Sequence, residues 1–146
     1  MRKTFTAILL GLSVAVQAGG TISVYKTPTC GCCQEWVAHL EANGFEVSTY
    51  DMVDLRSMKS MAGVRPQHAS CHTALVDGYV VEGHLPAPDI QRLLNERPDI
   101  LGISVPGMPI GSPGMEHGDR RDNFAVISLE KDGSKNVFSL HGPAHD

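Results

Sequence analysis

The 146-residue chain lacks any apolar run approaching the roughly 18 residues of an ordinary transmembrane helix. It lacks a basic excess. Twelve Lys and Arg stand against 16 Asp and Glu, a formal net charge of −4 with a pI of about 5.9. A protein that grips a duplex carries positive charge, so this balance argues against nucleic acid as a partner. It also lacks the charge density of a disordered chain, with 19% charged and 42% hydrophobic residues. The length suits one domain, or one domain with tails. What the chain does hold is a stock of soft and borderline metal ligands: four cysteines, six methionines and seven histidines.

Arg2 and Lys3 form a short basic start, Phe5 to Val16 is mostly apolar, and Val16-Gln17-Ala18 places small or medium residues where a signal peptidase needs them. The layout is that of a signal peptide over residues 1–18, leaving a mature domain over 19–146 with no membrane attachment. Loss of Arg2 and Lys3 leaves 10 basic against 16 acidic side chains, net −6. No cysteine follows the cleavage site, which argues against a bacterial lipoprotein. In an exported protein, thiols are driven toward disulfides unless a metal or a reductant holds them.

Thr21 to Tyr25 is rich in β-branched and aromatic residues and reads as a strand. From Cys30 to Asn43, Cys33, Trp36, Val37 and Leu40 recur at helical spacing, with Thr29 as the expected N-cap and Gly44 as the stop. Phe45 to Tyr50 alternates as a second strand. Asp54 to Ala62 is weakly helical, with Leu55, Met58 and Met61 on its packing side. Ala74–Val76 and Tyr79–Val81 flank Asp77-Gly78, a hairpin turn signal. Pro86 to Asp89 opens a third helix in which Ile90, Leu93 and Leu94 share a face, and Pro98 closes it. The order is βαβαββα, that of the thioredoxin-like α/β fold. Val105 to Gly118, with four glycines and three prolines, is expected to be a Gly/Pro-rich loop. Phe124–Leu129 and Asn136–Leu140 form a C-terminal β-hairpin, and His141 to Asp146 reads as a loose tail.

Cys30-Gly31-Cys32-Cys33 carries a C-x-x-C at a helix start, where the dipole and free N–H groups favour the thiolate. A dithiol enzyme needs two sulfurs, and Cys32 is a third. Three adjacent thiolates suit a soft ion, above all Cu(I). Cys71 precedes the strand at Ala74, and in a thioredoxin-like fold that loop lies beside the cysteine helix. A fourth sulfur would therefore face the first three, and four thiolates in one small volume can bridge several Cu(I) ions. Structural zinc usually draws on a second C-x-x-C or an H-x-x-x-H pair, which the chain lacks. A c-type haem needs His where Gln34 stands. An oxidised Cys30–Cys33 bridge with two bystander thiols stays open as an alternative, although so small a loop would constrain the unfolded chain little.

Met108 and Met115 lie in the Gly/Pro-rich loop, where there is little core to fill; thioethers do not form disulfides and remain Cu(I) ligands in an oxidising compartment. His84 follows a strand and is placed to approach them. His72 directly follows Cys71, and a lone histidine of this kind is ordinarily a surface residue. His39 reads as surface, and His141 and His145 as tail.

The run Tyr25-Lys-Thr-Pro-Thr-Cys-Gly-Cys-Cys-Gln-Glu-Trp36 resembles the CopG family of copper-resistance proteins (the periplasmic family, formerly a domain of unknown function, not the DNA-binding repressors of the same name). Ser70-Cys71-His72-Thr73-Ala74, Val81 to Pro86 and Gly102 to Glu116 fit the same pattern, so the resemblance spans residues 22–140. It implies a thioredoxin-like fold, periplasmic residence and copper binding through Cys30, Cys32, Cys33 and Cys71. Family members are proposed to interconvert Cu(I) and Cu(II) or to sequester copper. The expectation is a periplasmic copper-resistance protein holding Cu(I) on the four cysteines as a thiolate cluster. Met108, Met115 and His84 would line an entrance or second site, and copper efflux or copper-carrier proteins would be its partners. The rival is a thiol–disulfide oxidoreductase using Cys30 as nucleophile and Cys33 as resolving thiol. A third class is a disulfide-stabilised interaction module.

Overall fold

The computed structural model describes residues 20–145; the signal segment expected over 1–18 lies outside them. In β1 (Ile22–Lys26) the fully buried Ile22 and Val24 alternate with half-buried Ser23 and Tyr25. Strand β2 (Val47–Asp51) runs parallel to β1. A parallel pair needs a crossover, which α1 (Gly31–Ala42) supplies, burying Cys33, Trp36 and Leu40 on one stripe. After α2 (Arg56–Met61) and a single 3₁₀ turn at Pro66–His68 come β3 (Thr73–Val76) and β4 (Tyr79–Glu82). Asp77 and Gly78 join them with φ of 47° and 84°, the two positive values a tight hairpin turn requires. Helix α3 (Ala87–Glu96) follows, ended by Arg97 in the left-handed region.

The expected succession βαβαββα is therefore present. Three strands extend it: β5 (Gly102–Ser104), β6 (Phe124–Leu129) and β7 (Lys135–His141), giving a mixed sheet in the order β2-β1-β3-β4-β5-β6-β7. The main core packs α1 and α3 on the sheet through Trp36, Leu40, Ile90 and Leu93 against Val81, Ile103 and Val126. A smaller cluster around Val64, Val80, Ile127 and Leu129 closes the other face. Among the described residues no helix is long and apolar enough to cross a membrane.

Four local expectations change. The N-cap of α1 is Cys30 and not Thr29, because the chain turns at Thr27–Cys30 and Cys30 N–H donates to the Thr27 carbonyl at 3.2 Å. Met58 packs, but Met61 ends the six-residue α2 and is 78% exposed. Strand β5 falls in a stretch whose sequence shows no strand signal. His141 is no tail residue: it closes β7 opposite Phe124, and both it and Ser139 reach Asp89 at the start of α3, at 2.7 Å each.

Candidate metal centre

The first turn of α1 leaves N–H groups without intrahelical partners, and no side chain caps it. Cys30, Cys32 and Cys33 stand at this end. Cys30 and Cys33 are joined by a disulfide, while Cys32 and Cys71 are free. The bridge is the alternative that the sequence leaves open, but the free thiols are not bystanders. Cys32 Sγ lies 3.4 Å from Cys30 Sγ, and Cys71 Sγ lies 3.6 Å from Cys33 Sγ. All four sulfurs fall within 4.8 Å of one another. The segment entering β3 faces the cysteine helix, the arrangement expected from the thioredoxin-like order of elements.

Two imidazoles complete the cluster. His84 Nε2 is 2.9 Å from Cys71 Sγ, and His84 Nδ1 lies 2.8 Å from the Pro113 carbonyl. A carbonyl only accepts, so Nδ1 carries the proton and Nε2 presents a lone pair to the sulfur side. His72 Nδ1 is 3.1 Å from Cys71 Sγ. Its ring is fully buried, 4.3 Å from the Trp36 ring and 4.9 Å from that of His84, and its Nε2 has no hydrogen-bond partner. Trp36 is fixed in turn by donating from Nε1 to the Leu85 carbonyl at 2.9 Å. His84, expected beside the loop methionines at an entrance or second site, lies against Cys71 in the cluster itself. His72 is not the surface histidine that its sequence context suggests and belongs to the core of the site; its one signal in the sequence is adjacency to Cys71.

Burial governs the charge state. It pushes the Cys71 thiol up to about 12, with the neighbouring Cys32 adding to the rise. Burial also holds His72 well below the ordinary histidine value, and lowers His84. Near neutral pH the Cys71 thiol thus keeps its proton, while the His72 and His84 rings are uncharged. Among the described residues no carboxylate belongs to the cluster. Soft sulfur with borderline nitrogen is the donor set of a soft or borderline cation.

The Gly/Pro-rich loop is stitched to every segment that carries a donor. Gly107 N–H donates to the Ala69 carbonyl at 3.0 Å, and Ser70 Oγ donates to the Gly107 carbonyl at 2.5 Å. Pro113 holds His84. Gly114, with φ of 81°, sits so close to α1 that a Cβ would meet the Cys32 carbonyl oxygen at 2.7 Å. Met108 follows Gly107 and is 45% exposed; Met115 follows Gly114 and is half-buried. Both methionines therefore flank the points where the loop touches the cysteine-bearing segments. His117 is exposed and bridges to Arg120, away from these contacts. His39, expected at the surface, is half-buried and accepts the Ala87 N–H at 3.1 Å, serving α3 and not the cluster.

A mixed α/β sheet with four sulfurs and two imidazoles converging at one helix start defines a cysteine-cluster protein suited to metal. Two solved structures, both named "Copper resistance protein copG", match it at a TM-score of 0.81. Form 2 is 47% identical over 84% of this chain and 98% of its own; Form 1 is 46% identical over 86% and 99%. The chain belongs to the CopG family. Residues 68–115 also match the family described as "Protein of unknown function, DUF411", a span holding Cys71, His72, His84, Met108 and Met115. No curated protein sequence matches.

Proposed function

We propose that this chain is a copper-binding protein of copper resistance, exported to the periplasm, that takes Cu(I) on the thiolates of Cys30, Cys32, Cys33 and Cys71. The observation that carries the proposal is the convergence of four sulfurs within 4.8 Å beside the lone pair of His84. Sulfurs this close can each bridge two ions, which favours a small thiolate cluster over one isolated ion. Binding by all four requires the Cys30–Cys33 bridge to be reduced and the remaining thiol protons to leave. Met108 and Met115 then serve as thioether donors at the entrance. Thiolates favour Cu(I) and the imidazoles tolerate Cu(II), so the site supports interconversion of the two.

An anaerobic Cu(I) titration of the reduced mature protein against a competing chelator, beside Cys71→Ser, tests this. The wild type is expected to take up several ions tightly and Cys71→Ser to lose most of them. Weak uptake, or equal uptake by the variant, overturns the proposal. In a separate assay with dioxygen admitted as electron acceptor, steady oxidation of Cu(I) supplied in excess marks a turnover enzyme, and uptake that stops at saturation marks a buffer.

The bridged C-x-x-C at a helix start supports a second reading, thiol–disulfide exchange with Cys30 as nucleophile. Insulin reduction that survives Cys32→Ser and Cys71→Ser would favour it over copper binding.

A further inference from the structure

Glu82 is the last residue of β4 and is fully buried, although nothing in its sequence context marks it. Its Oε1 accepts from Lys59 Nζ at 2.5 Å and from the Ser70 backbone N–H at 2.7 Å. Its Oε2 accepts from Thr73 Oγ1 at 2.6 Å, and Lys59 Nζ also donates to Thr73 Oγ1 at 3.1 Å. The Lys59 side chain, reaching in from α2, is only 14% exposed. One buried carboxylate thus gathers an ammonium, a hydroxyl and a backbone amide, and no oxygen is left bare.

The placement is informative. Ser70 and Thr73 bracket Cys71 and His72. The strand that carries Glu82 continues directly into Gly83 and His84, and Gly83 N–H donates to the His72 carbonyl at 3.1 Å. The carboxylate therefore ties the segment bearing Cys71 to the segment bearing His84. An ion pair taken wholly out of water is weak as a stabiliser, since desolvation offsets most of its attraction. Its use is to fix one arrangement among several. An apolar pair of similar size would fill the same space but would leave the Ser70 amide and the Thr73 hydroxyl free to turn.

We propose that the buried Lys59–Glu82 pair, acting through Ser70 and Thr73, is the positioning device that turns Cys71 Sγ inward onto Cys33 and His84. Copper binding enters only as the use to which that placement is put. The placement itself can be measured without metal.

The test uses the full mature chain, metal-free, with the Cys30–Cys33 bridge intact, so that Cys32 and Cys71 are the free thiols. Alkylation by iodoacetamide at each is followed by peptide mapping, with Cys32 as internal control. Lys59→Met with Glu82→Gln removes both charges and strands neither. Thr73→Val keeps the charges and removes the hydroxyl. Lys59→Arg keeps the cation. Folding is checked by circular dichroism. The Cys71 to Cys32 rate ratio is expected to rise on the order of tenfold in the double variant, to rise in the same direction in Thr73→Val, and to stay at the wild-type value in Lys59→Arg. The proposal is overturned if the ratio is unchanged in both the double variant and Thr73→Val, or if the two thiols speed up together. Should the double variant fail to fold, Thr73→Val decides alone. A Cys71→Ser variant that keeps its copper would sink the proposed function and leave this rate ratio standing.

Discussion

A half-buried thiol set among other sulfurs and imidazoles resists ionisation, because the water its anion would lose outweighs the help of a nearby cation. Cys71 is in that position, raised to about 12. At pH 8 the metal-free protein is therefore expected to alkylate at Cys71 on the order of a thousandfold more slowly than an ordinary exposed thiol, since only the thiolate reacts. Mass mapping of iodoacetamide adducts checks this, and rapid labelling of Cys71 would contradict it. The same chain shows what can be read from residues alone. Cys30, Cys32 and Cys33 are legible because their spacing is local to one helical turn. Cys71 is legible because a short loop before a strand has few places to go. His72 and Glu82 are not, because His72 is covered by Trp36 and Glu82 is met by Lys59, which are brought in by elements remote in sequence.

Helix α1 starts without a side-chain cap, and the Gly/Pro-rich loop occupies the space beside its first turn. Gly114→Ala would place a methyl 2.7 Å from the Cys32 carbonyl oxygen at a residue with φ of 81°. The variant is expected to lose about 1–3 kcal/mol in denaturant unfolding, from backbone strain together with the clash. Gly31→Ala is the control: its methyl meets nothing within 4 Å on the same helix, and it should be neutral or slightly stabilising. Equal losses in both would mean that the loop does not press on the helix. Elements with their own periodicity are legible in the sequence: α1, α3 and the β3–β4 and β6–β7 hairpins. Strand β5 is not. Three residues are too few to show alternation, and it exists because β4 and β6 supply partners on both sides.

Four histidines dispersed over the molecule are perturbed for one shared reason. Burial, more than any neighbouring charge, lowers His39, His68, His72 and His84 below the ordinary value of 6.5. The unfolded chain takes up protons on them near pH 6.5 and the folded chain only at lower pH. Their contribution to stability is therefore intact above pH 6.5 and is lost as pH falls below it. Glu82, raised by burial, runs the opposite way as a single carboxyl, costing stability as pH rises through its folded value. Thermal unfolding of the metal-free protein is expected to show a midpoint that drops from pH 7 to pH 5; a flat profile would contradict it. The bridge at the head of α1 is also asymmetric. Cys33 offers no surface to solvent, while Cys30 is half-buried. A thiolate arriving from outside meets the sulfur of Cys30, forms a mixed disulfide there and expels the sulfur of Cys33 as leaving group, beside Cys71. The inner sulfur is freed first, and the outer one only when a second external thiolate attacks the visitor's sulfur and carries it off as a disulfide, so reduction opens this cluster from its floor upward.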